Sequence, residues 1–429
     1  MEERPTPPPE PRARQPGWDS LLVCIAVYIA TSVGRIHQLF PILSVVRPAL
    51  LATAASIGLY LLVQSGQRRI GRLHSRPTLW LLGLLLWGAL SAPFALNQGV
   101  AIGSWIDFAE TVVMAFVVAG SVRRVRDVER LILVYFAVTV VYTIVILSRF
   151  QLGSGDWRLG RLYYYDANDL ATLIVTAMPL GLYFVLGQRR MAVRIVALVS
   201  LAVLAIGLIR SGSRGGFIAF LALAAFVLLG FTTIRARARV AGLVVLLAIV
   251  FGTASDRYWE QMQTLLNPHQ DYNLTSDAGR VKIWKRGLGY MAERPVVGVG
   301  MQNFHVAEGT ISPLARLQER GIGVRWGAAH NCFIQVGAEL GVPGLVLFAG
   351  LLGITLATLR KTARRARAAL PPQRDVARLA QSLMAALIGF AVGAFFLSLA
   401  YADMLYMLVA FSIGLMKTAR AVLPVRTLV

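Results

Sequence analysis

Four groups of residues carry side chains whose types and spacing could do chemistry. The run Arg210-Ser211-Gly212-Ser213-Arg214-Gly215-Gly216 sets two guanidiniums four residues apart. The Gly and Ser between them break a helix and expose backbone N–H groups that suit phosphate oxygens. The same run also reads as a tight turn whose arginines reach lipid headgroups. In the second group, Arg280, Trp284, Gly287 and Met291 fall on one helical face, with Lys282, Lys285 and Arg286 elsewhere around it. A guanidinium beside an indole, with a glycine allowing close approach, suits a phosphate or a sugar. An amphipathic helix lying on anionic lipid has the same composition. The third group is His330-Asn331, from which His330, Ile334, Gly337, Gly341 and Gly344 form a stripe at helical spacing. Its glycines would let another helix pack closely beneath the histidine. A lone histidine at a helix end otherwise serves as a cap or an interfacial residue, and His37, His74, His269 and His305 read that way. The fourth group is Tyr163-Tyr164-Tyr165-Asp166-Ala167-Asn168-Asp169. Asp166 or Asn168 can cap the helix that follows, and the tyrosines fit either an aromatic interface belt or stacking on sugar rings.

Other ionisable residues resist a single reading. Asp107 and Glu110 share a helical face and could be counter-ions to the arginines or part of a proton path. Glu339 lies one turn from Gln335 and needs a partner or a proton. Asn273-Leu274-Thr275 matches a glycosylation sequon, which in a bacterial context is a chance match, and Gly298-Val299-Gly300 lacks the strand–turn–helix frame of a dinucleotide fingerprint.

The elements that must position these groups are set by composition. The chain has 429 residues, 56% of them hydrophobic and only 15% charged, and its mean hydropathy is +0.63. That composition excludes a soluble multidomain protein and indicates a polytopic membrane protein. An excess of 43 Lys+Arg over 21 Asp+Glu would suggest nucleic acid in a soluble chain. Here it reflects loop asymmetry and anionic lipid or substrate, with no nucleic-acid partner. Cys24 and Cys332 sit in apolar runs, which supports neither a disulfide framework nor a thiolate metal site.

About twelve apolar segments are long enough to span a bilayer: 20–34, 48–64, 78–96, 100–120, 131–148, 167–187, 194–210, 216–234, 240–254, 329–358, 379–400 and 403–419. The expected organisation is a disordered, proline-rich cytoplasmic N-terminus over 1–17 and transmembrane helices 1–9 over 18–254. A helical periplasmic loop over 255–328, transmembrane helices 10–12 over 329–420 and a cytoplasmic tail over 421–429 complete it. With the N-terminus inside, 27 of the 43 basic residues fall on the inner side, so both termini are expected in the cytoplasm and the long loop outside. Within that loop, 255–266 and 276–293 each begin with a Ser/Asp cap and are expected to be helices.

Together these motifs resemble the bacterial O-antigen ligase / O-antigen polymerase superfamily of membrane glycan ligases. His330-Asn331, nine residues and then Gly341-Val342-Pro343-Gly344 match its His-Asn-x9-Gly-x-x-Gly signature. Asn168-Asp169-Leu170-Ala171, Ser213-Arg214-Gly215 and Arg280…Trp284 follow in the family's order. Gly344 is followed by Leu345-Val346 and not by the Thr-Gly of some ligases. The resemblance implies an all-α fold with about 12 transmembrane helices, of the GT-C type, in the bacterial inner membrane with its active site facing the periplasm. It further implies an inverting, metal-independent transfer that needs no cofactor. The donor would be an undecaprenyl-diphosphate-linked glycan. The acceptor would be lipid A–core in a ligase, the growing glycan in a polymerase, or a protein in an O-oligosaccharyltransferase. Arg214 and Arg280 would stabilise the leaving diphosphate, with Arg210 in support, because guanidiniums bind oxyanions bidentately. His330, with an ordinary pKa near 6.5, would take the acceptor proton, oriented by Asn331. Asp166, Asn168, Asp169 and Trp284 would line the substrate. A 12-helix transporter is the reading from a different class; the absence of visibly related halves counts against it.

Overall fold

The computed structural model describes residues 17–63, 66–149, 158–159, 164–187, 190–267, 276, 279–315 and 326–423. Residues 1–16, most of the tail, Tyr163, His269 and the sequon lie outside the described residues. The described chain is helical, with no strand among the described residues. Its principal helices are α1 (Ser20–Ser32), α2 (Pro48–Leu62), α3 (Arg76–Ser91), α4 (Gln98–Ser121), α5 (Val125–Arg149), α6 (Ala167–Gly187), α7 (Met191–Ser211) and α8 (Arg214–Gly230). They continue with α9 (Ala236–Thr253), α10 (Asp256–Gln263), α11 (Arg280–Glu293), α12 (Phe304–Thr310), α13 (Cys332–Ala368), α14 (Arg374–Ala394) and α15 (Asp403–Ala419).

Among the described residues, eight helices are long and apolar enough to cross a membrane: α3 to α7, α9, α13 and α14. Three more, α1, α2 and α8, are apolar but shorter. Each segment expected to span coincides with a helix, and the chain is an all-α polytopic membrane protein. Burial separates the centre of the bundle from its rim: α6 is 78% and α14 72% buried, whereas α9 is 6% buried and turns most of its apolar surface outward. Small residues let the central helices approach. A Cβ on Gly393 would lie 2.7 Å from Thr172 Oγ1, and one on Gly389 would lie 2.8 Å from Val175.

Arginines at one end of the bundle are matched with carboxylates. Asp19 caps α1 through Leu22 N–H (3.0 Å) and pairs with Arg68 and Arg123. Asp127, 1% exposed, accepts from Arg123 and Arg130, each at 3.0 Å.

The structure differs from the sequence reading at four points. The eleventh segment, expected to reach 400, stops as a helix at Ala394, and 395–402 is a loop. The second helix of the long loop begins at Arg280, behind Gly279, which offers no side-chain cap. The short helix α12 lies within the same loop and was not expected. Finally, the glycine stripe does not run along one straight helix. Gly341 (φ 68, ψ −171) interrupts α13 in a conformation essentially reserved for glycine, and Pro343 follows two residues later.

That break is fully accounted for in hydrogen bonds. Carbonyls released at Ala338 and Glu339 accept from Val299 N (2.9 Å) and Gly300 N (2.8 Å), and Val342 N donates to Pro295 O (2.8 Å). The Trp87 indole N–H donates to Leu340 O at 2.8 Å. What packs beneath the histidine is therefore the loop helix α11 and its connector. A Cβ on Gly341 would sit 2.3 Å from Val296 O, and one on Gly337 2.8 Å from Met291 Sδ. Gly298-Val299-Gly300 owes its glycines to this seam: a Cβ on Gly298 would lie 2.4 Å from the Glu339 backbone.

Candidate functional site

Three of the singled-out residues stand at helix N-termini. Arg214 is the first residue of α8, whose N-cap Ser213 accepts from Gly216 N at 3.1 Å. Arg280 is the first residue of α11. His330 directly precedes Asn331, the N-cap of α13. The intervening chain could have left these ends apart, but aromatic packing joins them. Gly215 lies against Phe396, where a Cβ would be 3.1 Å from that residue's Cβ. Phe396 meets Trp284 at a ring separation of 6.5 Å, and Phe395 meets it edge-on at 5.5 Å. The Trp284 indole N–H donates to Ala329 O at 3.1 Å, one residue before the histidine. Trp284 thus acts as the post between α11 and the His330 turn.

The turn itself is held from both sides. His330 adopts a left-handed backbone (φ 48), and its N–H donates to Ser398 Oγ at 2.9 Å. Asn331, expected to orient the histidine, is the N-cap of α13. It is 1% exposed, and its Oδ1 accepts from Phe333 N (2.9 Å) and Ile334 N (3.1 Å). Two N–H groups that a helix start leaves unpaired are thereby satisfied, and Ser398 and Trp284 hold the backbone of the His330 turn.

Arg214 Nη1 donates to Thr264 Oγ1 at 2.7 Å, which ties α8 to the end of α10. Arg210 is half-buried, and its carbonyl accepts from Leu159 N at 2.9 Å. Its guanidinium has no partner among the described residues. The Asp166–Asp169 cluster joins this corner. Asp166 is the cap that the sequence allowed: its Oδ1 accepts from Asn168 N (2.7 Å) and Asp169 N (2.8 Å). Asp169 Oδ2 accepts from Asp166 N at 3.3 Å in return, a reciprocal box. Arg158 then bridges the two corners, donating to Ser211 O (2.8 Å) and to Asn168 Oδ1 (3.2 Å).

Sequence reasoning missed several of these positioning residues. Arg158, Ser398, Phe395 and Phe396 lack a local motif; their roles follow from long-range packing. Arg286 was grouped with the peripheral cations, yet it forms a bidentate pair with the buried Glu308, at 2.8 and 2.6 Å. The Tyr290 phenol donates to the same carboxylate at 2.6 Å. Hydrogen bonding to Glu308 holds the Arg286 guanidinium above its ordinary value. Burial, then Glu308, pushes the Tyr290 phenol up. The i, i+4 spacing of Arg286 and Tyr290 was the available signal. Of the tyrosines, Tyr165 donates to Val33 O (2.8 Å), and Tyr164 lies under the Arg35 guanidinium at 3.6 Å. Both therefore serve the end of α1 and not the Arg210 corner.

Comparison with known proteins points the same way. The sequence model of the O-antigen ligase family matches residues 199–349, a span that begins in α7 and contains Arg210, Arg214, Arg280, Trp284, His330 and Asn331. That match places residues 199–349 in the O-antigen ligase / polymerase superfamily, and with it a glycan-transfer activity of that general type. No curated protein matches the sequence.

Proposed function

We propose that this domain transfers a glycan from undecaprenyl diphosphate to a lipid A–core acceptor, as an inverting, metal-independent O-antigen ligase of the bacterial inner membrane with the site on the periplasmic side. The reading rests chiefly on the gathering of three helix N-termini, headed by Arg214, Arg280 and the His330 turn, through the Phe396–Trp284–Ala329 contacts. Helix N-termini carry partial positive charge, and two arginines beside them suit the charge that develops on a departing diphosphate.

In this mechanism an acceptor hydroxyl attacks the anomeric carbon on the face opposite the phosphate. The carbon–oxygen bond to the diphosphate breaks, and its electron pair leaves on the phosphate oxygen. Arg214 and Arg280 stabilise that oxygen, and Arg210 supplies further charge. His330 accepts the proton of the attacking hydroxyl. Each charge-assisted hydrogen bond contributes about 1.5–3 kcal/mol, so the loss of one arginine corresponds to roughly a ten- to hundredfold slower transfer. Asp166, Asn168, Asp169 and Trp284 border the sugar. Asn331 acts through the backbone it caps.

The proposed topology places about twelve spans in the membrane, both termini in the cytoplasm and residues 255–328 in the periplasm. The excess of basic residues on the inner side, 27 of 43, supports it. The departure at Leu345-Val346 favours a second reading, polymerase, which differs only in acceptor.

The test is a gel of surface and lipid-linked glycans from a strain lacking this gene. Bare lipid A–core, with polymer stranded on undecaprenyl diphosphate, is expected for the ligase. Core bearing a single repeat marks the polymerase. An unchanged pattern overturns both readings.

A further inference from the structure

A second polar space lies outside the arginine–histidine site. It is a cavity of about 360 Å³ between the ends of α1, α2 and α15 and the stretch Ser104–Thr111 of α4, within the ~300–1,000 Å³ range of small-molecule sites. None of the nine residues assigned to donor or acceptor chemistry lines it. Its charges are specific. Arg35 is engaged by Asp403 at 3.3 Å, and Asp403 also accepts from Thr111 Oγ1 at 3.0 Å. Two further carboxylates, Asp107 and Glu110, line the same space from one face of α4. His37 lines it as well; burial, then Arg35, holds its imidazole below the ordinary value, so it adds no charge at neutral pH. The cavity is thus formally negative, whereas the Arg210–Arg214–Arg280 region is positive.

Its uncharged lining is equally distinctive. Aromatic rings of Tyr28, Phe108 and Tyr164 alternate with hydroxyls of the Ser/Thr type. The Ser32 hydroxyl, in a residue only 7% exposed, lines the cavity with its Oγ unsatisfied, and a buried hydroxyl ordinarily has a partner. Carboxylates that accept from adjacent hydroxyls, hydroxyls that exchange hydrogen bonds and rings that cover apolar C–H surface together form a recognition set for a sugar.

We propose that this cavity is a saccharide subsite that takes a neutral or amine-bearing pyranose and rejects an anionic one. The inference rests on the glycan-transfer reading above and extends it. Loop 395–402 connects the two spaces: Phe395, Phe396 and Ser398 hold the Trp284–His330 turn, while Tyr401 and Ala402 line the cavity. Ser398 and Tyr401 are three residues apart, so their Cα atoms are at most about 11 Å from each other. A short glycan seated in the cavity can therefore present its end to His330. The negative charge keeps diphosphate out of this space and reserves the arginines for it. The ring could belong to the acceptor or to the polymer on the donor.

The test is saturation-transfer NMR on the full chain in nanodiscs, with methyl α-glucopyranoside, glucosamine and glucuronate as probes. The first two are expected to give signals at least tenfold stronger than glucuronate. Asp107→Asn with Glu110→Gln should reduce the glucosamine signal at least fivefold and remove the discrimination against glucuronate. Ser104→Phe, which fills the cavity without touching a charge, should abolish all three signals and serves if the double variant does not fold. Lipid A–core alone or undecaprenyl-diphosphate polymer alone is then added, and whichever displaces methyl glucoside identifies the source of the ring. Equal glucuronate binding, signals that survive both variants, or displacement by neither lipid overturns the subsite. Sugar binding that is lost in the variants, from a protein that shows no glycan transfer, would retain the cavity and overturn the transferase reading instead.

Discussion

The two ends of the helix bundle are both rich in arginine, yet they use it differently. At the Asp19 end, Arg68, Arg123 and Arg130 are matched to Asp19 and Asp127 in a small network. That network locks the start of α1 to the start of α5. At the other end, Arg214 donates to a neutral threonine, and Arg210 is half-buried with no partner among the described residues for its guanidinium. The contrast recurs inside the long loop, where Arg286 is satisfied by Glu308 and Tyr290. An arginine held by a buried carboxylate is a structural fastener. One such as Arg210, whose guanidinium has no carboxylate partner among the described residues, retains its charge for an anion.

Removing fasteners should cost stability, and removing the others should cost chemistry. The largest expected loss follows Glu308→Ala, which leaves Arg286 without its carboxylate in a largely buried setting. Thermal unfolding of the purified protein should show about 3–5 kcal/mol of destabilisation, and a loss below about 1 kcal/mol would break the distinction between the two kinds of arginine. Gly341→Ala comes next, because alanine is strained at φ 68 and its Cβ would overlap Val296 O. The backbone strain alone costs about 1–3 kcal/mol, and the same unfolding measurement reads it.

A smaller effect concerns acid. Burial pushes the Asp19 carboxyl up, but Leu22 N–H, Arg68 and Arg123 together hold it below its ordinary value. Its contribution is therefore present above the unfolded value of 3.8 and fades as pH falls through the folded one. Wild-type melting temperature should fall more steeply below about pH 4 than that of Asp19→Asn, with parallel curves removing Asp19 from the network. The smallest stability change is expected for Arg210→Ala, within about 0.5 kcal/mol, accompanied by slower glycan transfer. A large loss of stability there would make Arg210 a fastener too.

Much of this was legible in the sequence, for definable reasons. Apolar runs of membrane length located the helices, since burial in lipid requires them. The Ser255 and Asp166 caps were readable because a cap acts within a few residues of itself. The proposed functional residues His330, Arg214 and Arg280 stood out as residue types that are costly beside apolar runs. What sequence could not supply was pairing across distance. Nothing local marks Arg286 as neutralised by a glutamate 22 residues away. The break at Gly341 was concealed because glycine suits both a close-packed stripe and a left-handed turn. Phe395 and Phe396 were absorbed into an apolar run, although they end the helix and hold Trp284. The cavity around Asp107 and Glu110 needed six separate stretches of chain to meet.

The central claim is that Arg214, Arg280 and His330 act on one diphosphate-linked donor. The most direct measurement is glycan transfer by the purified full chain, given undecaprenyl-diphosphate polymer and lipid A–core, comparing wild type with Arg214→Ala, Arg280→Ala and His330→Ala. Each variant is expected to melt within a few degrees of wild type, to retain polymer binding to within about tenfold and to lose transfer by roughly tenfold or more. Stable variants that transfer at the wild-type rate would contradict the claim.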